Sequence, residues 1–300
     1  PDGHEQIEVV HTWKACGEAW WSRVTFPESI YDVGRATHRY RADFSPYVFE
    51  PTGRELLRLL SLALQDLAAR SGLVGNPALD LIVKFGQHLN YAFDSDTTGH
   101  EDYPRAPVEA LVDGHGDCED SSILVAALVA HVPGVTPAFL HMPEHIAIGL
   151  GGVSVDGGKT YEADGDHYVL VETTNPFGIG EVPKDWSRTL DRVEVVAKRP
   201  YLLASYKLSF PAAGAASGSL GVTVENVGFA DATEARVALR HTDEAGVEHH
   251  RESIALAPVP VGGRLERTVE VRAPDPRLTV VVYVESDGFT SRESSWSAET

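Results

Sequence analysis

The fold class this sequence predicts is α+β followed by an all-β segment, and three observations carry it. Between residues 52 and 132 lie two amphipathic helical patterns and one apolar run. From residue 136 to 198 strand-like segments follow one another. Beyond Pro200 helical periodicity disappears and only strand signals recur. These shifts predict a first domain at 1–199, with a β-rich lead-in at 5–50 and a core at 51–199, and a second domain at 200–300.

The elements follow in order. Residues 5–50 are rich in aromatic and β-branched residues, broken by Pro27, Pro46 and, just beyond, Pro51, and read as short strands and loops. The stretch TGRELLRLLSLALQDLAARSG sets Leu56, Leu59, Leu60, Ala63, Leu64 and Leu67 at helical spacing. Thr52 and Glu55 form a capping box at its start, and Gly72 ends it. A second helix is expected in NPALDLIVKFGQHLNYAF, with Asn76 as cap and Pro77 in the first turn. The run SSILVAALVAHV is apolar on nearly every side, which marks a buried helix, entered at Asp117 and closed by Pro133 and Gly134. TPAFLHM, HIAIGL, GKTYEAD, HYVLVETT and RVEVVAK read as strands, with a hairpin turn at ADGDH. After Pro200, ASYKLSF, GSLGVTVENVG, ATEARVALRHT, HHRESIALA, RLERTVEVRA and RLTVVVYVES alternate with turn signals. That spacing predicts an immunoglobulin-like β-sandwich that carries no concentrated chemistry and serves as a spacer or binding module.

Composition narrows the function classes. The 300 residues suffice for two cores, and a formal charge of −19 is the opposite of the basic surface that nucleic acid or an anionic membrane requires. With six lysines against abundant Asp and Glu, the surface is expected to be acidic and self-repelling, adaptation to high salt being one cause. No apolar run is long enough to span a bilayer, so no transmembrane segment is expected in this chain. The chain opens at Pro1 without a methionine or signal peptide, which fits a trimmed mature form. Two cysteines, Cys16 and Cys118, make no disulfide framework and are read as free thiols.

Cys118 sits on the seam of DGHGDCEDSSILVAALVAH, where a glycine-punctuated acidic loop meets the buried helix. A small buried hydrophobe is one reading of such a cysteine. At a helix N-terminus, however, the positive end of the macrodipole lowers a thiol pKa, while the flanking Asp113, Asp117, Glu119 and Asp120 oppose it. An imidazole partner would decide the balance. Of His115, His131, His141 and His145, the last opens the strand HIAIGL after a Pro143 turn. Glu172, an acid in the otherwise apolar YVLVETT, can orient it from the neighbouring strand.

The order Cys, His, acid, with the cysteine opening a helix after GHGDCED and the other two on successive strands, resembles the transglutaminase-like cysteine peptidase superfamily. More narrowly, YPRAPVEALVDGHGDCEDSSIL followed by HIAIGL and YVLVETT is similar to its uncharacterised prokaryotic branch, over residues 77–182. The resemblance implies a papain-like, circularly permuted transglutaminase-like core. Cys118 then matches the nucleophile, His145 the base and Glu172 the orienting acid. The superfamily usually has Asp there, which keeps Asp156, Asp164 and Asp166 as alternatives. Oxyanion donors would be the Cys118 backbone N–H and Gln87, which matches the family's second donor. The implied reaction is acyl transfer on protein or peptide amides through a thioester, by hydrolysis or by transamidation, with no cofactor and no metal. A protein-processing thiol domain joined to an immunoglobulin-like module points, by analogy, to an extracytoplasmic or cell-surface setting.

Three other readings stay open. His115 with Cys118, and His141 with His145, have spacings that zinc accepts. Asp94, Asp96, Thr98, Gly99, His100 and Asp102 follow EF-hand spacing, but position 12 is Arg105 where a bidentate Glu is required. In that loop Tyr103 and Arg105 are candidates for substrate recognition. The third is a non-catalytic binding protein that keeps the fold, with Trp13, Trp20, Trp21 and Trp186 as groove or core aromatics. The sequence does not fix the oligomeric state.

Overall fold

The computed structural model describes residues 5–37, 39–163, 165–184, 186–196, 200–209, 217–243, 245–272, 278–286, 289–291 and 294–296. The chain is α+β and divides into two compact units, residues 1–196 and 197–300. The expected boundary at 199/200 falls against the undescribed residues 197–199, and Asp164, one of the alternative acids, also lies outside the described set.

The first unit opens on a long hairpin, β1 (Gln6–Ala15) and β2 (Glu18–Pro27), in unbroken antiparallel register. Alternation puts His11, Trp13 and Ala15 inward, and Trp13 meets Phe85 edge-on at 5.0 Å between ring centroids. The lead-in therefore holds two full strands rather than short ones, and it also contains helices that strand propensity hid. These are α1 (Glu28–Ala36), which starts directly after Pro27 with Glu28 in its first turn, and α2 (Ser45–Phe49), which carries Pro46 at its start.

Helix α3 (Pro51–Arg70) is capped two residues earlier than the sequence pattern implies. Its cap is Glu50, whose carboxylate accepts from Thr52 N–H and Gly53 N–H at 3.0 Å each, in place of a Thr52/Glu55 box. Helix α4 (Asn76–Gly86) has Gly75 at the cap, while Asn76 spends its side chain on Ser154 O at 2.9 Å. Beyond α4 the expected helical stretch turns into β3 (Asn90–Tyr91), then α5 (Asp94–Thr97), α6 (Pro107–Asp113) and β4 (His115–Gly116). Helix α7 (Cys118–Val129) is buried from Asp120 to Val129, as its lack of a polar face requires.

Gly86 lets α4 lie against α7: a Cβ there would sit 2.4 Å from Val125 Cγ2. Behind α7 stands an antiparallel sheet of β5 (Thr136–Met142), β6 (His145–Gly151), β7 (Thr160–Ala163), β8 (Asp166–Val171) and β9 (Arg192–Val195), in the order β7-β8-β6-β5-β9. A cysteine at the start of α7, a histidine at the start of β6 and an acid just past the end of β8 thus converge on one end of the helix-on-sheet core.

The second unit is all β among its described residues. One sheet orders β10 (Leu202–Ser209), β11 (Ser217–Asn226) and β14 (Arg264–Arg272). The other orders β13 (Glu248–Ala255), β12 (Arg236–Thr242), β15 (Thr279–Ser286) and β16 (Phe289–Thr290), with β17 (Ser294–Trp296) also on β15. Each sheet buries alternate residues, Leu220, Val222 and Val224 in one and Val280, Val282 and Val284 in the other. Among the described residues no helix is long and apolar enough to cross a membrane.

Candidate active site

The loop that delivers Cys118 is fixed from below by Arg105. Its guanidinium is 1% exposed and reaches Asp94 Oδ1 and Asp120 Oδ2 at 2.7 Å each, and Thr97 Oγ1 at 2.6 Å. Its backbone N–H donates to Asp120 Oδ1 at 2.6 Å, and Asp120 Oδ2 accepts from Asp117 N–H at 3.2 Å. Burial pushes the Asp120 carboxyl up to about 7 even though Arg105 pulls it down. Gly116 makes room for this lock, since a Cβ there would fall 2.5 Å from Asp120 Cβ. Arg105, expected at the substrate, is almost wholly buried at the edge of the polar cavity that Tyr103 faces, because its donors neutralise carboxylates that would otherwise be buried without a counter-charge.

Cys118 is the first residue of α7 and its thiol is free, as is that of Cys16 at the β1–β2 turn. Cys118 Sγ donates to Glu119 Oε2 at 3.0 Å. Burial first, then Glu119 and Asp117, push the thiol well above its ordinary range, against a hydrogen bond from Ile146 N–H that pulls it down. The sulfur is therefore held protonated rather than ionised, the reverse of what its place at a helix N-terminus suggests. Close acids outweigh the dipole because a carboxylate at hydrogen-bond distance carries a full charge and the helix end about half of one.

His145 Nε2 bonds Glu172 Oε2 at 2.9 Å, and both side chains are largely buried. Glu172 Oε1 accepts from Thr174 N–H at 3.0 Å and Thr174 Oγ1 at 2.6 Å. Burial pushes Glu172 up, but the bonds from His145 and Thr174 prevail and hold it below the usual carboxylate range. The Trp186 ring meets the imidazole edge-on at 6.1 Å, and His145, Glu172, Thr174 and Trp186 help line a cavity of about 390 Å³. His145 Nδ1 has no hydrogen-bond partner among the described residues. Cys118 meets β6 at Ile146, the residue after His145: the Ile146 N–H reaches the sulfur and its carbonyl accepts from Ser122 Oγ of α7 at 3.3 Å. Ser122 also bonds Thr173 Oγ1 at 2.8 Å, tying α7 to the residue after Glu172.

Other expected residues fall elsewhere. Gln87 Nε2 donates to the carbonyls of Glu172 at 2.7 Å and Phe177 at 3.2 Å, which occupies both amide hydrogens, so Gln87 braces the Glu172 backbone and offers no oxyanion donor. Tyr103 bonds Glu109 and Arg39 and faces a second, polar cavity of about 430 Å³, away from the one lined by His145. His141 is engaged by Glu194 at 2.9 Å, so the zinc set does not assemble; the cation-type clusters among the described residues contain no histidine. The EF-hand spacing fails because Asp94 is spent on Arg105 and Tyr103 N–H, while Asp96 is exposed. Asp94 instead gathers with Asp102 and Glu119, their ligand atoms within 4.8 Å of one another. Trp13 is core, whereas Trp21 is 68% exposed. Thr174 and Ser122 were not picked out from sequence; the polar ETT that ends an apolar strand was the available signal for the former.

No known family matches the sequence, and no curated protein matches it. Among solved structures, red sea bream transglutaminase is similar at 11% identity and a TM-score of 0.26, over 96% of this chain and 61% of that one. A protein described as ApaA from Bordetella pertussis is similar at 15% identity and 0.24, over 33% of this chain and 89% of that one. A β-glucuronidase of glycoside hydrolase family 2 aligns at 13% and 0.24, over 31% and 11% respectively. Likeness at this level assigns neither family nor activity.

Proposed function

We propose that the first unit is a transglutaminase-like, papain-like thiol domain, taken as residues 1–199, which transfers acyl groups from protein or peptide amides, and that residues 200–300 form an immunoglobulin-like β-sandwich attached to it. The observation that carries this reading is the His145–Glu172 bond at 2.9 Å beside a helix-initiating cysteine whose sulfur takes the N–H of the residue after that histidine. Glu172 fixes the ring through Nε2, which leaves Nδ1 to receive a proton.

In the reaction, Cys118 Sγ leaves Glu119 and passes its proton to His145 Nδ1. The sulfur attacks the amide carbonyl carbon, the backbone N–H of Cys118 donates to the oxyanion, and the imidazolium protonates the departing amine as the C–N bond breaks. The thioester then goes to water or to a second amine. Glutamate in place of aspartate is accommodated because it lies beyond the end of β8, where Thr174 and Gln87 hold it.

The test is an activated peptide ester. An acyl adduct on Cys118 by intact-mass analysis, slowed by His145→Ala and Glu172→Gln, is the expected result. Alkylation of Cys118 at a free-thiol rate in both wild type and His145→Ala, with no adduct, would overturn it. The Cys118–Glu119 contact favours a second reading, a binding protein that keeps the fold with a silent thiol. It predicts peptide binding without an adduct.

A further inference from the structure

The acids around Cys118 are more numerous than the local cations. Glu119 is common to two clusters, one with Asp117 and Cys118, the other with Asp94 and Asp102. Arg105 is committed to Asp94 and Asp120 at 2.7 Å each, and Arg41, 3.4 Å from Asp102, is a well-exposed cation at the rim. Asp117 is 9% exposed, and its Oδ1 is buried without a hydrogen-bond partner. Burial, then the charges of Asp120, Glu119 and Asp94, and a side-chain hydrogen bond with Glu119 push its carboxyl up to about 9, so Asp117 holds a proton that an arriving cation would displace. A buried acceptor left unsatisfied among like charges is costly, and a cation with N–H donors removes both costs.

A second feature stands beside it. Tyr91 and Phe93 are 50% and 60% exposed and meet edge-on at 5.4 Å. The β3–β4 pairing sets Tyr91 opposite Gly116, two residues before Cys118. Burial, then the charges of Cys118, Asp117, Glu119 and Glu172, push the Tyr91 phenol up, so it borders both the acids and the sulfur. Exposed aromatic faces next to carboxylates are the chemistry that binds an alkylammonium or guanidinium group.

We propose that Tyr91 and Phe93, with Asp102, Asp117 and Glu119, form a subsite for a positively charged lysine or arginine side chain of a protein substrate, flanking the amide that Cys118 attacks. This rests on the function proposed above and adds the charge of the substrate to it. Charge complementarity selects the occupant: apolar side chains would leave the carboxylates uncompensated, and acidic ones would be repelled.

The experiment measures binding on the full chain with Cys118→Ala, so that it reads independently of catalysis. Blocked peptides that differ only in lysine, norleucine or glutamate beside a glutamine are titrated calorimetrically. The lysine peptide is expected to bind about tenfold or more tightly than the norleucine peptide. That preference should fall away in Tyr91→Ala and in Glu119→Gln, shrink in salt, and persist in Asp96→Asn, an exposed acid outside the subsite. Equal affinity for lysine and norleucine, or binding of neither, overturns the proposal. So does saturation of the same carboxylates by one calcium ion per chain without any lysine preference, which would make them a metal site. Absence of an acyl adduct in the wild-type protein, with the lysine preference intact, would sink the catalytic reading and leave the cation subsite standing.

Discussion

Glu119 follows the candidate nucleophile directly and takes the hydrogen bond of its thiol, so at the scale of single residues it sets how reactive Cys118 is at rest. Glu119→Gln keeps the shape and removes the charge that stabilises the protonated thiol. Alkylation of Cys118 at neutral pH should then accelerate by about tenfold, which corresponds to one unit of pKa. The rate of iodoacetamide labelling followed by mass spectrometry checks this, and an unchanged rate would mean that burial alone governs the sulfur. The same reasoning separates Glu172 from Glu119: one carboxylate, bonded by Thr174 and His145, stays ionised and orients a ring, while the other clusters with Asp94, Asp102, Asp117 and a thiol.

At the scale of elements, two buried polar joints hold the site-bearing pieces together. Arg105 ties the loop after α5 to the first turn of α7 through Asp94 and Asp120. Arg105→Met leaves those carboxylates buried with backbone N–H donors but no counter-charge and should cost about 3–5 kcal/mol of unfolding free energy, because the uncompensated charges remain. Denaturant titration measures it. A cost under about 1 kcal/mol would show that the carboxylates simply protonate. The second joint docks the β1–β2 hairpin on α4, where His11 Nδ1 lies 2.8 Å from His88 Nε2. Burial and then His88 lower His11 to about 4, and burial lowers His88 as well. With folded values below the unfolded value of about 6.5, the unfolded chain takes up protons first. Stability from this joint is thus complete above that pH and is lost as the pH falls from about 6.5 towards 4. Unfolding free energy followed over that range should show a flatter slope in His11→Phe than in the wild type; identical slopes would remove the pair from the acid response.

For the whole molecule the governing quantity is the charge of −19. Surface acids repel one another over roughly 10 Å at 0.1 M salt and over about 3 Å at 1 M. The thermal midpoint should therefore rise by several degrees as sodium chloride is raised across that range, with chloride and nitrate salts behaving alike if screening is the cause. A midpoint that stays flat would show that the ion pairs inside the fold dominate instead. The same field attracts cationic partners over a distance, which agrees in sign with the subsite placed at Tyr91 and Glu119.

Much of the architecture was legible because periodicity records burial. The apolar α7 and the strands β5, β6 and β8 are visible in SSILVAALVAHV, TPAFLHM, HIAIGL and HYVLVETT, since each must hide the face it shows in its spelling. Helices α1 and α6 were missed because they are short and their stability comes from packing, which no local pattern encodes. Sequence also singled out Cys118, His145 and Glu172 as residues of the right chemistry in the right order. Only the tertiary structure decided that His145 takes Glu172 as its carboxylate, that Arg105 is a buried lock, that Gln87 spends its donors on carbonyls, and that Glu119 holds the thiol. Chemistry is a property of residue types and survives in the linear text, whereas partnership depends on distances of a few ångströms between groups far apart in the chain, which exist only once the helix and the sheet have packed.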